Sequence, residues 1–366
     1  MQPDAPVEQT PLRILWVASK LSWHGGIGRV VAGATAELAR RGHDVHVAGP
    51  APDGPPGPHA DVTSHPWTKG RLKLMQLVRL IPLVRELRPQ IIHFHSALPH
   101  GEVISGIRAL RRLLGDPCIF ATPHTAARAN YPKRRARLGL RAADIIVTPS
   151  SWSAEQAIKA GARPASTRVV YAGIDLPKES RADQRSHNVL ALGRLVKTKG
   201  ISVLIDAFAE AAASRPDWRL EIGGAGAEEA SLRAAAAATA CADRIDFLGY
   251  IRGETKSGAL GRASIGAVPS FKESFGGTLL EFQAQGLACV ASHVGGMVEL
   301  ACQGRAARSV PAGDAPALAK ALGELMDDPS QRARLGEAAR EFAAGISWSA
   351  AGDAYEALYR EQLALR

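Results

Sequence analysis

Residues 13–18 (RILWVA), 44–49 (DVHVAG), 91–95 (IIHFH), 118–123 (CIFATP) and 144–150 (DIIVTPS) are short, almost continuously apolar runs. Runs of this length without polar alternation read as strands covered on both faces. Between them lie longer stretches with helical spacing, such as 29–42 (RVVAGATAELARRG), closed by Gly42. Residues 50–61 (PAPDGPPGPHAD) are rich in Pro and Gly and read as a surface loop. The same grammar restarts at 188–195 (NVLALGRL) and continues through 219–226, 244–250, 265–270 and 288–292, with helical stretches at 200–213 and 228–240.

Strand–helix alternation of this kind predicts mostly parallel, doubly wound α/β sheets. The polar segment 171–187 lacks apolar periodicity and separates the two series. The expectation is therefore two Rossmann-like domains facing across a cleft, 1–176 and 177–349. A last helix over 350–366 shows helical spacing of Tyr355, Leu358 and Tyr359 and is expected to pack back toward the first domain. Ligands of such sheets bind beyond the carboxyl ends of the strands.

Composition agrees with this picture. A chain of 366 residues exceeds what one hydrophobic core usually serves, and 46% hydrophobic content with 22% charged residues describes a folded protein. No apolar run reaches the roughly 18–20 residues that span a bilayer. The start, MQPDAPVEQTPLR, lacks a signal layout. Cys118, Cys241, Cys289 and Cys302 form no CxxC pair, which argues against a zinc site or disulfide framework and for a reducing, cytoplasmic setting.

Charge changes the picture more. Residues 1–176 carry 23 Lys and Arg against 12 Asp and Glu, while 177–366 carry 22 against 23. The formal excess of +10 thus belongs to the first half. Two stretches concentrate it: 69–88 has six basic residues and one acid, and 128–141 has six and none. Residues 69–88 also carry a stripe at Leu74, Leu77, Val78, Ile81 and Val84. A basic amphipathic helix can rest on an anionic membrane surface, peripherally on the inner face of the cell membrane. The alternative is a stripe packed on its own sheet with charge lining a cleft rim or serving solubility. Neither stretch has the aromatic interleaving of single-strand nucleic-acid binding, so no nucleic acid is expected.

The chemistry-bearing residues cluster in the second half. In 268–286 (VPSFKESFGGTLLEFQAQG) a strand ends at Ser270, a loop carries Glu273, and a helix opens near Gly276–Thr278. A helix N-terminus offers unpaired N–H groups and a positive dipole end to phosphate, and Gly276 and Gly277 allow close approach. Carboxylates beside such a site, Glu273 and Glu281, suit sugar or ribose hydroxyls, which are donors. Read alone, Glu281 only complements the helix dipole and Glu273 is a solvated loop acid. In 191–208 (ALGRLVKTKGISVLIDAF) another strand ends at Gly193, followed by Arg194, with Lys199 opening the next helix. Arg supplies a planar fork and Lys a point charge for phosphate oxygens. Lys197 reads as a solvated neighbour.

Together, GRLVKTKG, GGAGAEEASL, FLGY, PSFKESFG, LLEFQAQG and VASHVGG resemble the donor domain of retaining GT-B glycosyltransferases of family 4. GGIGRVVAGATAELARRGHDVHV resembles the N-terminal glycine loop and first helix of that family, and YAGIDLP its interdomain linker. The resemblance implies a sugar transferred from a nucleotide-diphosphate-sugar, with a UDP-sugar the leading expectation, to a hydroxyl acceptor on a glycan, lipid-linked or small molecule. It implies no further cofactor and no metal, and the sequence offers no clear Asp-x-Asp loop. Arg194 and Lys199 would hold the diphosphate, Glu281 the ribose, and Glu273 the donor sugar near the reacting carbon. The backbone of Gly276, Gly277 and Thr278 would cover the distal phosphate and sugar, and Gly25 and Gly26 would close from the other domain. His124, after a strand end, would lie near the reacting centre and acceptor, where a neutral imidazole hydrogen-bonds a hydroxyl; the other reading is a loop histidine with a backbone partner. Ala172, Ala225 and the segment EFQAQG depart from the family pattern, which bears on the donor base and sugar.

His93 and His95 alternate to one strand face like a metal pair, but no third ligand is evident, so packing or cleft-lining is favoured. An NAD-dependent dehydrogenase is set aside, because HGGIGR lacks the GxGxxG order and the second strand ends without a ribose-binding acid. A sugar-nucleotide epimerase of the same fold and a non-catalytic sugar-nucleotide-binding protein are the remaining alternatives.

Overall fold

The computed structural model describes residues 10–18, 26–50, 61–67, 73–96, 101–124, 133–177 and 185–366. The chain divides into two compact units. One comprises Met1–Pro149, Ala154–Gly173 and Trp348–Arg366; the other comprises Ser150–Ser153 and Ile174–Ser347. The chain thus leaves the first unit after Gly173 and returns at Trp348, close to the boundaries that the polar segment and the last helix suggest. The assignment of Ser150–Ser153 to the second unit has no signal in the sequence.

Among the described residues the first unit holds seven strands: β1 (Arg13–Ala18), β2 (Asp44–Pro50), β3 (Thr63–Trp67), β4 (Ile91–Ser96), β5 (Cys118–Pro123), β6 (Ile145–Thr148) and β7 (Thr167–Val169). They pair in the order β3-β2-β1-β4-β5-β6-β7, every pair parallel. The helices are α1 (Gly26–Arg40), α2 (Lys73–Leu87), α3 (Gly101–Leu110), α4 (Lys133–Ala142) and α5 (Ser151–Lys159), the last beginning within the short segment counted with the second unit.

The second unit holds β8 (Asn188–Leu192), α6 (Ile201–Ala211), β9 (Arg219–Gly223), α7 (Glu229–Ala237), β10 (Ile245–Gly249), α8 (Gly253–Arg262), β11 (Ile265–Val268), α9 (Gly277–Ala284), β12 (Ala288–Ser292), α10 (Met297–Leu300), β13 (Arg308–Val310), α11 (Ala315–Asp327) and α12 (Pro329–Ala344). Its six strands run β10-β9-β8-β11-β12-β13, again all parallel. The fold is α/β with two doubly wound parallel sheets, as the strand–helix alternation predicts.

Each sheet is covered on both faces, which is why its strands are apolar without alternation. Ile14 and Trp16 of β1 pack with Val31, Ala34 and Leu38 of α1, whereas Leu15 and Val17 pack with Leu80 and Val84 of α2 and Ile104 and Ile107 of α3. In the second sheet Val189 and Ala191 face α6 and α11, and Leu190 faces the α8–α9 side. One expectation is corrected here. Val78, placed by spacing on the stripe of 69–88, is 62% exposed, whereas Val84 of that stripe is buried, Ile81 packs against the core in part, and Leu80, outside it, turns inward. The side chains of Leu74 and Leu77 lie outside the described set.

The last helix, α13 (Trp348–Ala364), belongs to the first unit. Its aromatic face explains why: Tyr355 and Tyr359 are buried against Trp16, His93 and Phe120. A Cβ on Gly33 of α1 would lie 2.3 Å from the Trp348 ring, so α1 can approach α13 only without a side chain there.

Candidate active site

In each sheet the strand order reverses between two neighbours, β1 and β4 in the first and β8 and β11 in the second. Loops leaving the carboxyl ends of such strands diverge and leave a crevice. The residues singled out in 191–208 and 268–286 sit on the loops after β8 and β11.

After β8 the backbone continues through Gly193 and Arg194 into a single 3-10 turn, Lys197–Lys199, and then α6. Arg194 is exposed, and its side chain makes no hydrogen bond or ion pair with any described residue. Lys199 forms an ion pair with Oε1 of Glu273, and Ser270 Oγ donates to the same oxygen at 3.1 Å. The two loops are also tied through their backbones: Phe271 N donates to Thr198 O at 2.9 Å. A Cβ on Gly200 would lie 2.0 Å from Pro269 O. Lys197 is exposed, in keeping with a solvated neighbour.

A second ion pair mirrors the first. Glu281 of α9 accepts from Lys256 Nζ of α8 at 2.5 Å. The Glu273 and Glu281 side chains are only 15% and 12% exposed, which removes the reading of Glu273 as a solvated loop acid. Both carboxylates are held in place by one lysine each. Lys256 carries no motif; only its position one turn into the helix after β10 could have drawn attention to it.

Gly276 and Gly277 play different parts. Gly276 is buried at φ +103°, and a Cβ there would meet Met297 at 2.7 Å, so backbone conformation and packing both demand glycine. Gly277 is exposed with nothing near its missing Cβ, and Thr278 beside it is half-buried. No side chain caps this end of α9, which leaves its first N–H groups open to an oxyanion. The loop after β12 backs the site: Gly295 at φ +54° puts its missing Cβ 1.7 Å from Glu273 O. Gln283, in the unusual EFQAQG segment, is fully buried and donates to Leu300 O at 2.7 Å and Ala306 O at 3.1 Å. That amide fastens α9 to the end of α10 and the chain after it, a structural task that the sequence pattern does not reveal.

In the first unit, His124 follows β5 and is half-buried. Its Nε2 lies 3.1 Å from Nδ1 of His95, at the end of β4. His95 is fully buried and stacks on Trp16 at 3.9 Å and 12°. His93, also fully buried, pairs Nδ1 with Tyr359 Oη at 2.7 Å and Nε2 with Thr122 Oγ1 at 2.8 Å. Burial holds His93 and His95 well below the ordinary histidine range and lowers His124 to about 4, so all three are neutral near pH 7. Both nitrogens of His93 are used, which makes it a packing residue. Among the described residues no group of three or more His, Cys, Asp or Glu is placed to hold a metal. Gly26 opens α1, exposed, while Gly25 lies outside the described residues.

The sequence profile of a family described as "Glycosyl transferases group 1" matches residues 174–342, and that of "Glycosyltransferase Family 4" matches residues 24–178. The chain is 30% identical over 326 residues to the D-inositol 3-phosphate glycosyltransferase of Corynebacterium aurimucosum, covering 83% of this chain and 72% of that protein. Against the enzyme of the same name from Corynebacterium jeikeium it is 32% identical over 241 residues, which span 60% of this chain and 58% of the relative. In fold it is similar to the crystal structure of Anabaena HepE in complex with UDP, with a TM-score of 0.80 at 17% identity, covering 96% of this chain and 100% of that one. The class is therefore a GT-B glycosyltransferase. The chain belongs to the family 4 glycosyltransferases, enzymes that move a sugar from a nucleotide-diphosphate-sugar to a hydroxyl acceptor.

Proposed function

We propose that the chain is a retaining, metal-independent glycosyltransferase that uses a UDP-sugar and an anionic hydroxyl acceptor. The observation that carries the donor half is the pairing of an unengaged Arg194 with Lys199 beside the uncapped end of α9. When the bond between the sugar and the diphosphate breaks, negative charge builds on the leaving diphosphate. Arg194, Lys199 and the α9 end are fixed positive groups that stabilise it, the part a divalent cation takes in other enzymes. Lys199 exchanges Glu273 for phosphate oxygens, which frees the Glu273 carboxylate for donor-sugar hydroxyls. Glu281, steadied by Lys256, accepts from the ribose diol. His124 serves a sugar or acceptor hydroxyl.

The crystal structures of HepE with UDP and with UDP-glucose support uridine as the base. For the acceptor, the relatives' name gives D-inositol 3-phosphate, a small phosphorylated polyol. The basic excess of residues 1–176 fits an acceptor of that charge. A second reading places the anionic acceptor on a lipid surface. It is favoured by three apolar tips on α2, α4 and the turn after α3, namely Val78, Leu138 and Leu113, exposed by 62%, 50% and 72% beside exposed Arg79, Arg112 and Arg137. No described helix is long and apolar enough to cross a membrane, so any attachment through this patch would be peripheral.

The test is incubation with UDP-, GDP-, TDP- and ADP-sugars, following nucleoside diphosphate release with and without D-inositol 3-phosphate. Acceptor-dependent release of UDP is expected, with the anomeric configuration of the donor kept in the product. Release without acceptor, or an inverted product, overturns the reading. Interconversion of the donor with no release would favour an epimerase, and binding without turnover a non-catalytic protein.

A further inference from the structure

We infer that His95 is a positioning residue for His124: it donates Nδ1–H to His124 Nε2, so that His124 presents its remaining Nδ1–H to the substrate. The clause about substrate rests on the reading that His124 meets a sugar or acceptor hydroxyl; the proton assignment does not.

His95 Nε2 is buried and has no hydrogen-bond partner among the described residues. Among the described residues the only polar contact of the ring is Nδ1 to His124 Nε2 at 3.1 Å. Two neutral imidazoles meeting through one nitrogen each must share a single proton between those nitrogens. If the proton sat on His124 Nε2, His95 would carry its own proton on Nε2, a buried N–H with no acceptor. If it sits on His95 Nδ1, the orphan is a bare lone pair, and every N–H of the pair is either bonded or directed outward. Orphaned buried N–H groups are the rarer and costlier case. Burial of both rings supports their neutrality.

Nor can His95 turn over to escape the choice. Its ring is stacked on Trp16 and lies 4.2 Å from His93, and a flip would set a ring carbon against His124 Nε2. The backbone of His124 is pinned as well, with its N donating to Ser96 O at 2.9 Å. His124 Nδ1 has no partner among the described residues, and the residue is half-buried. The consequence for the reaction is definite. His124 is a hydrogen-bond donor toward an oxygen of the substrate and cannot take a proton through Nδ1.

The test uses the full chain with 15N-labelled histidine. Long-range proton–nitrogen spectra near pH 7 distinguish the two tautomers of each ring, and His95→Asn and His124→Asn assign the signals. Protonation of Nδ1 in both rings is expected; an Nε2–H signature in either overturns the assignment. Turnover then reads the positioning. His95→Asn places an amide near the Nδ1 position and should keep kcat within about threefold, while His95→Gln, whose amide lies near Nε2, should lose about tenfold or more, with UDP affinity unchanged in both. Equal rates for the Asn and Gln variants overturn the positioning role even if His95→Leu fails to fold. If the tautomers are as assigned but His124→Ala turns over normally, the reading that His124 meets substrate falls and the proton assignment stands.

Discussion

The two switch points of this chain use charge in opposite ways. After β8 and β11 the site is built from ionised groups: the Lys199–Glu273 pair and an unengaged Arg194 on loops packed together at glycines, and the Lys256–Glu281 pair between α8 and α9. After β4 and β5 the polar groups are three histidines, wholly or half buried among aromatic rings and held neutral. A diphosphate needs fixed counter-charge; the less exposed cations Lys199 and Lys256 are paired with carboxylates, while Arg194 keeps its charge in water. Hydroxyl groups need only oriented donors and acceptors, which neutral imidazoles provide without the desolvation cost of a buried ion.

The sharpest way to break this contrast is to remove the cations. Arg194→Ala and Lys199→Ala should each lower kcat/KM by roughly 10- to 150-fold, from about 1.5–3 kcal/mol per charge-assisted contact. Neither should unfold the chain, since the Arg194 side chain has no partner among the described residues and loss of Lys199 leaves Glu273 its bond from Ser270. The check is turnover against a melting curve, and unchanged turnover in a folded variant would remove the phosphate assignment. Gly295→Ala is the companion for the scaffold. Its Cβ would collide with the Glu273 carbonyl at positive φ, so a loss of at least about 1 kcal/mol of stability is expected together with donor affinity.

A smaller effect separates the two acids. Glu281→Gln should weaken UDP itself by several-fold, because its proposed partner is ribose. Glu273→Gln should leave UDP affinity near normal and lower turnover of the full donor. Lys256→Met should behave as a weaker copy of Glu281→Gln, since Lys256 acts through that carboxylate. Calorimetry with UDP beside steady-state kinetics distinguishes them; an equal loss of UDP affinity in both Gln variants would end the division of roles.

These assignments also show what was legible in the sequence. The donor loops are short segments in which strand end, glycine and charge lie within about ten residues, so local spacing reveals them. Lys256 escapes because its partner is 25 positions away, and nothing at either position announces the pairing. The His95–His124 bond joins neighbouring strands at a separation of 29, visible only once the sheet order is known. The strands themselves divide the same way. All three that the apolar pattern misses, β3, β7 and β13, are edge strands. An edge strand is covered less, so TSHPW, TRV and RSV carry no apolar run to be seen. Val78 shows the limit of helical spacing, which found the buried side at Val84 and Ile81 but set Val78 there as well.

The neutral histidines make the first unit the acid-sensitive one. His43, His65, His93, His95 and His124 are all lowered from the ordinary value near 6.5, chiefly by burial, and His124 to about 4. The unfolded chain therefore binds more protons than the folded unit below that value. Stability from these groups is fully present above about pH 6.5 and is lost progressively as pH falls toward 4. Limited proteolysis with fragment mapping should show cleavage in 1–149 before 174–347 as the pH is lowered. Simultaneous loss of both units would mean that the contrast in charge has no counterpart in stability.

The smallest effect concerns the basic face of the first unit. Val78, Leu113 and Leu138 are large apolar side chains left in water beside exposed arginines, an arrangement suited to an anionic bilayer. Each well-placed base near such a surface contributes about 1 kcal/mol and fades within a Debye length, so attachment should be reversible and salt-sensitive. Sedimentation with anionic vesicles should pellet the protein at low salt and release it at high salt, whereas neutral vesicles should leave it in solution. Changing Leu113 and Leu138 together to Ser should weaken pelleting, and changing Lys133, Arg134, Arg135 and Arg137 to Gln should abolish it. Neither set should alter UDP affinity, because the proposed phosphate and ribose residues Arg194, Lys199 and Glu281 lie on the other unit. If the wild-type chain ignores anionic vesicles at low salt, the lipid reading is lost. The basic excess is then left to draw a small phosphorylated acceptor, and kcat/KM for D-inositol 3-phosphate, rather than pelleting, should fall as salt rises.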